Sequence, residues 1–175
     1  MTETDPLTGL PTRAEFTDSI TSSIQENGDS NARTPVSVAF FDVDVFLHVN
    51  EEYGKDTGDT VLIELSKLFT GSLNDGAQTF RIGGDEFAVI MPETEKETAF
   101  LRLEAVRSAF SGLESLRKIS PPPTISIGLA TMRPDSRSQP STLMYAADQN
   151  LYRAKETGRN RIVATVLGET STAAT

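Results

Sequence analysis

Apolar residues recur every three or four positions along four stretches of the chain, a period typical of amphipathic helices. The stretches cover residues 16–24, 61–69, 99–110 and 143–154. Glycines follow three of them, at Gly28, Gly71 and Gly158, and predict helix ends there. A shorter run, residues 45–53, predicts one more helix that Gly54 ends.

Four other segments carry continuous or alternating apolar residues and predict five β-strands. They are residues 35–41, the two runs that flank Gly83-Gly84 within 80–90, and residues 124–130 and 161–167. The Gly-Gly pair predicts a tight hairpin turn, because glycine tolerates positive φ. The first strand is almost wholly apolar, which predicts a central strand buried on both faces.

The order of these elements indicates an α+β fold. A β-α-β-β-α-β core with an additional helix and strand is typical of ferredoxin-like, palm-type architectures, in which helices flank a mostly antiparallel central sheet. We expect the helices to pack on one face of that sheet. One domain is predicted over residues 1–167, followed by a disordered Ser/Thr/Ala-rich tail at 168–175.

Thr12 and Asp44 are predicted to cap helices, and a cap is an alternative or additional role for Asp59. Thr12 is followed three residues later by Glu15, which is the capping-box pattern. Asp44 precedes the short helix near residue 45, and Asp59 precedes the apolar stripe that begins at Val61. Aspartate commonly caps helices at such positions.

The composition restricts the chemistry that the chain can perform. Among 175 residues there is no cysteine and one histidine. Disulfides, thiolate catalysis and cysteine- or histidine-rich metal sites are therefore excluded. Any bound metal must be a hard cation with oxygen ligands, such as Mg²⁺, Mn²⁺ or Ca²⁺.

The net charge of −9 makes a surface for polyanionic nucleic acid a poor hypothesis. A small phosphorylated ligand can still bind locally through a metal and a few basic groups. The sequence shows no signal peptide, membrane span or lipidation motif, so we expect a soluble, cytoplasmic protein.

Two groups of acidic residues are the candidate chemistry. Asp42 ends the first predicted strand, and Asp85 and Glu86 follow the Gly-Gly pair. The first strand and the hairpin are neighbours in this fold, so these carboxylates can converge. Together with a carbonyl such as that of Val43, they would suit a Mg²⁺ ion that binds substrate phosphates. The alternatives are that Asp85 and Glu86 are simply solvated at the turn and that Asp42 caps the helix near Val45.

The motifs together resemble the GGDEF-domain diguanylate cyclases, over residues from about Asp5 to about Val163. The matching segments are Asp5-x-Leu7-Thr8-Gly9-Leu10-Pro11-x-Arg13, Asp42-x-Asp44-x-Phe46, Asn50-x-x-Tyr53-Gly54, Gly58-Asp59, Arg81-x-Gly83-Gly84-Asp85-Glu86-Phe87, Ser126-Ile127-Gly128, Ala147-Asp148, Leu151-Tyr152-x-Ala154-Lys155 and Gly158-Arg159-Asn160.

The resemblance implies an enzyme that condenses two GTP molecules into cyclic di-GMP and releases pyrophosphate. Each domain would hold one GTP, so catalysis would need a homodimer of facing domains. Divalent metal, Mg²⁺ or Mn²⁺, would be bound by Asp42, Asp85, Glu86 and the Val43 carbonyl. Glu86 would bind metal or help to deprotonate the attacking 3′-hydroxyl, and Gly83-Gly84 would leave room for the α-phosphate.

The resemblance also implies a substrate site. Asn50 and Asp59 match positions that read guanine, and Phe46, Lys155 and Arg159 match positions at the phosphates. For Lys155 and Arg159 the alternative role is a favourable interaction of their charges with the dipole at the C-terminal end of a helix.

Several positions depart from the family pattern or stay open. Leu47 stands where a phosphate-contacting lysine is usual, which reduces the expected activity. Asn74 and Ala77 replace the Arg and Asp of the inhibitory product site, so no inhibition by that route is predicted. Arg81 is expected to orient the hairpin or contact a phosphate. The alternative function is a weakly active or inactive module that binds GTP and regulates a partner, and an upstream sensor domain is possible.

Overall fold

The structure, a computed structural model, describes residues 3–29, 33–73, 75–134 and 138–168. Within these ranges five strands and five α-helices follow one another. The elements are α1 (Arg13–Asp29), β1 (Val36–Val43), α2 (Phe46–Tyr53), α3 (Lys55–Ser72), β2 (Gln78–Arg81), β3 (Glu86–Pro92), α4 (Lys96–Ser111), β4 (Ile125–Met132), α5 (Pro140–Glu156) and β5 (Ile162–Val166). A short 3₁₀ helix (Glu114–Leu116) that the sequence pattern did not predict follows α4.

The five strands form one sheet in the order β2-β3-β1-β4-β5. Neighbouring strands are antiparallel except for β4 and β5, which are parallel. The first four strands have the β-α-β-β-α-β connectivity of a ferredoxin-like core, and β5 adds the fifth strand at one edge. The predicted α+β, mostly antiparallel fold is therefore confirmed.

The central strand β1 is buried along its whole length, as predicted. Its alternate residues belong to two separate apolar clusters, with Ala39 and Phe41 in one and Val38 and Phe40 in the other. The first cluster includes residues of α3 and α4, and the second includes residues of α1 and α5. The expectation that helices pack on one face is therefore wrong, because a strand that is apolar on both faces needs cover on both.

Stacked phenylalanines fill the α3 side of the sheet. The ring of Phe41 lies 3.9 Å from that of Phe69 on α3 and 5.3 Å from that of Phe87 on β3, measured between centroids. Offset stacking of this kind adds to the free energy gained by burying the rings. This packing holds β1 and β3 side by side. Asp42 lies near the end of β1, and Glu86 begins β3.

Two predicted caps are not formed. Thr12 precedes α1, but its buried hydroxyl has no hydrogen-bond partner, and Glu15 accepts from the backbone N–H of Glu3 instead. Helix α3 begins at Lys55, so Asp59 lies inside the helix and is not its N-cap. Most of the predicted tail, residues 169–175, lies outside the described residues. None of the helices in the described ranges combines the length and apolar character needed to cross a membrane.

Helix α5 packs directly on the backbone of β4 at Gly128. A methyl group at this position would lie 2.1 Å from the amide nitrogen of Leu151 and 2.2 Å from the carbonyl oxygen of Ala147. Both atoms belong to the helix backbone and cannot move without displacing α5. The glycine is therefore required by the close approach of helix and strand.

We predict that Gly128→Ala lowers the free energy of unfolding by about 3 kcal/mol or more, because the clash falls on backbone atoms. Urea denaturation followed by circular dichroism measures this change. Gly71→Ala is the matched control, since a methyl group there meets no atom within 4 Å. In an exposed helix this control should be neutral or stabilising by up to ~1 kcal/mol. Equal stability of the two variants would contradict this close packing of α5 on β4.

Candidate active site

The acidic residues meet where β1 and the β2–β3 hairpin lie side by side. Asp42 is paired in register with Glu86 on β3 and with Ser126 on β4. Residues directly opposite in an antiparallel pair project to the same face, here the face that α1 and α5 cover. A cleft of about 480 Å³ opens there, and its walls include Asp42, Glu86, Lys155, Arg13, Tyr145, Asp148 and Tyr152.

Asp42 is a buried carboxylate with half of its hydrogen-bonding capacity unused. Only 3% of the residue is exposed, and its Oδ1 has no partner. Its Oδ2 accepts a hydrogen bond from the ammonium of Lys155 on α5. Burial raises the pKa of Asp42 to about 6, in spite of Lys155, and repulsion by Asp85 and Asp44 adds to the increase.

The hairpin turn places Asp85 and Glu86 beside Asp42. The N–H groups of Ile82 and Gly83 both donate to the Glu86 carbonyl, at 2.9 and 3.2 Å. Neither turn glycine adopts the left-handed conformation that the sequence led us to expect. Instead, a methyl group on Gly83 would lie 3.0 Å from the Glu86 carboxylate, and one on Gly84 would meet nothing within 4 Å. These glycines therefore leave room around the turn for side chains and ligands.

Arg81 fixes the conformation of this turn. Its guanidinium donates to the carbonyl of Gly83 at 3.2 Å and to that of Gly84 at 3.1 and 2.7 Å. The remaining nitrogen, Nη1, donates to both carboxylate oxygens of Asp5, at 3.0 and 2.9 Å. Of the two roles expected for Arg81, orienting the hairpin is the one that these contacts support.

Asp5 forms the other half of this contact and is held by its own turn. The backbone N–H and the hydroxyl of Thr8 both donate to its Oδ2. Burial raises the pKa of Asp5, but the hydrogen bonds from Thr8 and Arg81 outweigh it and keep the pKa below its ordinary value. The segment ahead of α1 is thereby joined to the acidic hairpin.

Asp44 does not cap α2, which corrects the prediction for this residue. The N-cap of α2 is Val45, and it makes no side-chain cap. The Asp44 carboxylate is buried and accepts hydrogen bonds from the hydroxyls of Thr124 and Ser126, at 2.7 and 2.6 Å. It also accepts the backbone N–H of Asn160 at 3.0 Å. Asp44 therefore connects β1 to β4 and to the loop that precedes β5.

The residues expected to read guanine lie on α2 and α3, which meet at Gly54. The Asn50 side chain packs against Gly58, where a methyl group would lie 1.8 Å from its Oδ1. That buried oxygen has no hydrogen-bond partner. Asp59 follows Gly58 on α3 and is half-buried.

The residues expected at the phosphates are divided between two places. Phe46 begins α2 and packs against the α3-side core, and Leu47 beside it is 69% exposed. Lys155 is paired with Asp42, while Arg159 is exposed in the loop after α5.

Of the two residues at the positions of the inhibitory product site, the structure describes one. Ala77 packs at the edge of the core. Asn74 lies outside the described residues. The predicted absence of this site therefore stays a prediction.

Within the described part of the chain, no group of three or more His, Cys, Asp or Glu side chains is close enough to hold a metal ion. Magnesium does not need such a cage, because it is usually bound by one or two carboxylates together with water and phosphate oxygens. The unpartnered Oδ1 of Asp42, directly across from Glu86, fits that requirement. The donor set is thus compatible with a hard divalent cation.

A family model described as the diguanylate cyclase GGDEF domain matches residues 2–161. The chain belongs to the GGDEF-domain diguanylate cyclase family. Among curated proteins it is 34% identical over 159 residues to the uncharacterised protein YhcK of Bacillus subtilis, covering 90% of this chain and 44% of YhcK. It is 34% identical over 171 residues to the response regulator PleD of Caulobacter vibrioides, covering 91% of this chain and 35% of PleD. The chain thus spans less than half the length of these relatives.

Solved GGDEF-domain structures share the fold. The coiled coil and GGDEF domain of DgcB from Caulobacter crescentus, in complex with c-di-GMP, superposes with a TM-score of 0.84 at 29% identity, covering 93% of this chain and 85% of that one. The diguanylate cyclase SiaD of Pseudomonas aeruginosa, in complex with its activator SiaC, gives 0.82 at 30% identity, covering 93% and 61%.

Two features of this GGDEF site escaped the sequence argument. The partners of Asp44 are 80, 82 and 116 residues away in the chain, and no local pattern connects them. Tyr145 and Tyr152 line the cleft, seven positions apart on one exposed face of α5. That helical spacing was visible in the sequence and is the signal that could have identified them.

We predict that Asp42→Asn stabilises the metal-free protein at pH 8 by on the order of 2 kcal/mol. The folded protein binds the Asp42 proton more tightly than the unfolded chain does, since its pKa is about 6 against an ordinary 3.8. Ionisation of Asp42 in the folded protein therefore lowers the free energy of unfolding. The whole of this loss is present above pH 6, and it disappears as the pH falls toward 4.

Thermal unfolding in EDTA at several pH values measures the effect. The gain from Asp42→Asn should shrink steadily between pH 7 and pH 4. Asp148→Asn, an exposed carboxylate on the wall of the same cleft, is the control and should change stability by less than ~0.5 kcal/mol. A destabilised Asp42→Asn variant at pH 8 would contradict the prediction.

Proposed function

We propose that this domain is a diguanylate cyclase that condenses two GTP molecules into cyclic di-GMP with release of pyrophosphate. The observation that carries the proposal is the buried, half-unpartnered carboxylate of Asp42 directly opposite Glu86 at the Gly-Gly-Asp-Glu hairpin. Burying a carboxylate without full pairing is unfavourable, and such sites are typical of function. Membership of the GGDEF family supports the reaction, and it does not favour a purely regulatory module.

In this proposal Asp42, Asp85, Glu86 and the Val43 carbonyl hold a divalent cation, Mg²⁺ or Mn²⁺. The bound cation would neutralise charge on the reacting phosphoryl group and favour ionisation of the attacking hydroxyl. The ammonium of Lys155 would then leave Asp42 and contact the terminal phosphates. If it stayed, it would compete with the cation for the Asp42 carboxylate. Glu86, exposed at the turn, would bind the cation or help to remove the proton of the 3′-hydroxyl.

Guanine recognition is assigned to Asn50 and Asp59. The Watson–Crick edge of guanine presents two adjacent donors, N1–H and N2–H, which one carboxylate can accept together. Adenine offers no such pair, so the buried polar groups would remain unsatisfied with ATP. The unpartnered Oδ1 of Asn50, which lies against Gly58, supports this assignment.

The phosphates are assigned to the space between the hairpin and the end of α5. Gly84 has no atom within 4 Å of where a side chain would begin, which lets an α-phosphate approach the turn. Lys155 and Arg159 supply the positive charge, Arg159 through a planar group suited to bidentate contact. Phe46, at the start of α2, is the remaining residue assigned to the phosphates.

Each domain supplies one substrate site, so we propose that the product forms between two facing copies. Because GTP is the substrate, we also propose that the domain acts in the cytoplasm, under the control of a sensor domain elsewhere in a longer protein.

The proposed reaction is tested by incubating the protein with GTP and Mg²⁺ over a range of protein concentrations. Cyclic di-GMP and pyrophosphate should form, and activity per molecule should rise with concentration because two copies make one product. ATP should neither react nor compete strongly. GTP binding without pyrophosphate release, even when two copies are linked covalently, would instead indicate a regulatory module.

We predict that Leu47→Lys raises the affinity for GTP by about fivefold to tenfold, since a charge-assisted hydrogen bond to phosphate is worth about 1.5–3 kcal/mol before losses to solvent. Leu47 is 69% exposed, so the change should not affect folding. Leu101→Lys on α4, at a residue that is 70% exposed, introduces the same charge elsewhere. Isothermal titration with 3′-deoxy-GTP measures both. An equal gain in the two variants would show a general charge effect and contradict a role for position 47.

A further inference from the structure

The loop between α5 and β5, residues 157–161, has an unfavourable backbone conformation. Arg159 and Asn160 are consecutive and have φ angles of 62° and 46°, in the left-handed region. Residues with a Cβ atom rarely adopt this region, and two in succession need support from their surroundings. The structure shows where that support comes from.

Two contacts from different elements hold Asn160. Its backbone N–H donates to Asp44 Oδ2 at 3.0 Å, at the end of β1. From α4, Arg107 Nη1 donates to the side-chain Oδ1 of Asn160 at 2.6 Å and to its carbonyl oxygen at 3.5 Å. Arg107 is itself fixed by Glu104, one helical turn earlier, which accepts from the other two nitrogens of the guanidinium.

These contacts leave the neighbouring Arg159 available for a ligand. Its side chain is exposed and makes no hydrogen bond within the described residues, whereas its backbone N–H is tied to the Ala154 carbonyl at 2.9 Å. Arg107 differs in both respects, because its side chain is only 18% exposed and is already paired with a carboxylate. Arg107 is therefore suited to hold the loop and not to bind an anion itself.

We propose that Arg107 and Asp44 are positioning residues that fix the left-handed loop so that Arg159 faces the terminal phosphates of the nucleotide. The inference rests on the proposed function, in which Arg159 binds those phosphates. Arg107 lies on the α3 side of the sheet and touches neither the acidic hairpin nor the guanine residues in the described contacts. Its influence on the nucleotide should pass through Asn160 and Arg159 alone.

The experiment compares Arg107→Met, Arg159→Met and the double variant by isothermal titration with 3′-deoxy-GTP and Mg²⁺, a substrate analogue that cannot cyclise. Arg107→Met should weaken binding roughly fivefold, as expected for a misplaced charge-assisted contact. In the Arg159→Met background the same change should have less than about a twofold effect. GMP, which lacks the terminal phosphates, should bind all variants equally.

Arg102→Met on the same helix is the matched control, because Arg102 pairs with Asp75 at the surface and not with the loop. It should leave the affinity unchanged. Asn160→Gly provides a second, independent variant that removes the side-chain acceptor of Arg107 and keeps only the long contact to the carbonyl, while glycine tolerates the left-handed backbone. It should reproduce the loss seen with Arg107→Met, and the two losses should not add.

Additive losses from positions 107 and 159, equal weakening of GMP, or unchanged binding by Arg107→Met would each overturn this inference while the wild-type protein still binds the analogue. Failure of the wild-type protein to bind 3′-deoxy-GTP would overturn the proposed function, and this inference with it.

Discussion

The burial of a carboxylate at the end of a central strand is the constraint on which the site depends. Strand β1 is covered on both faces and flanked by β3 and β4. Asp42, near the end of this strand, is therefore only 3% exposed. Desolvation there outweighs one ion pair, and the pKa of Asp42 rises to about 6. Stability is given up at this position, as is common where a side chain is placed for function and not for packing.

The surrounding elements limit this cost and set the geometry. Lys155 reaches Asp42 from the last turn of α5, and that helix can lie so close only because β4 has a glycine at 128. Asp44, two residues further along, accepts three hydrogen bonds, from Thr124 ahead of β4, from Ser126 on β4 and from the α5–β5 loop. Two aspartates separated by one residue thus have different environments: one is satisfied and structural, the other is left with an unused oxygen atom.

The sequence was sufficient where the determining interactions are local or where several motifs occur in order. The apolar run of β1 and the Gly-Gly pair predicted the neighbouring strands correctly, and the motif set predicted the family. The sequence was insufficient where the role of a residue depends on a contact with a residue far away in the chain. The apolar stripe placed the start of a helix near Asp59, yet α3 begins at Lys55 and contains Gly58, a glycine whose missing side chain leaves space for Asn50. Arg107 belongs to no motif, and its partner Asn160 is 53 residues away.

The clamp between Arg81 and Asp5 joins parts of the chain that are 76 residues apart. Residues 3–11 come before the first helix, while the turn carries the acidic pair, and one guanidinium contacts both. The entry segment and the hairpin tip are consequently joined by direct side-chain hydrogen bonds, in addition to the packing of Leu10 in the core. A displacement of the chain ahead of α1 would therefore be transmitted through Asp5 and Arg81 to the turn that carries Asp85 and Glu86.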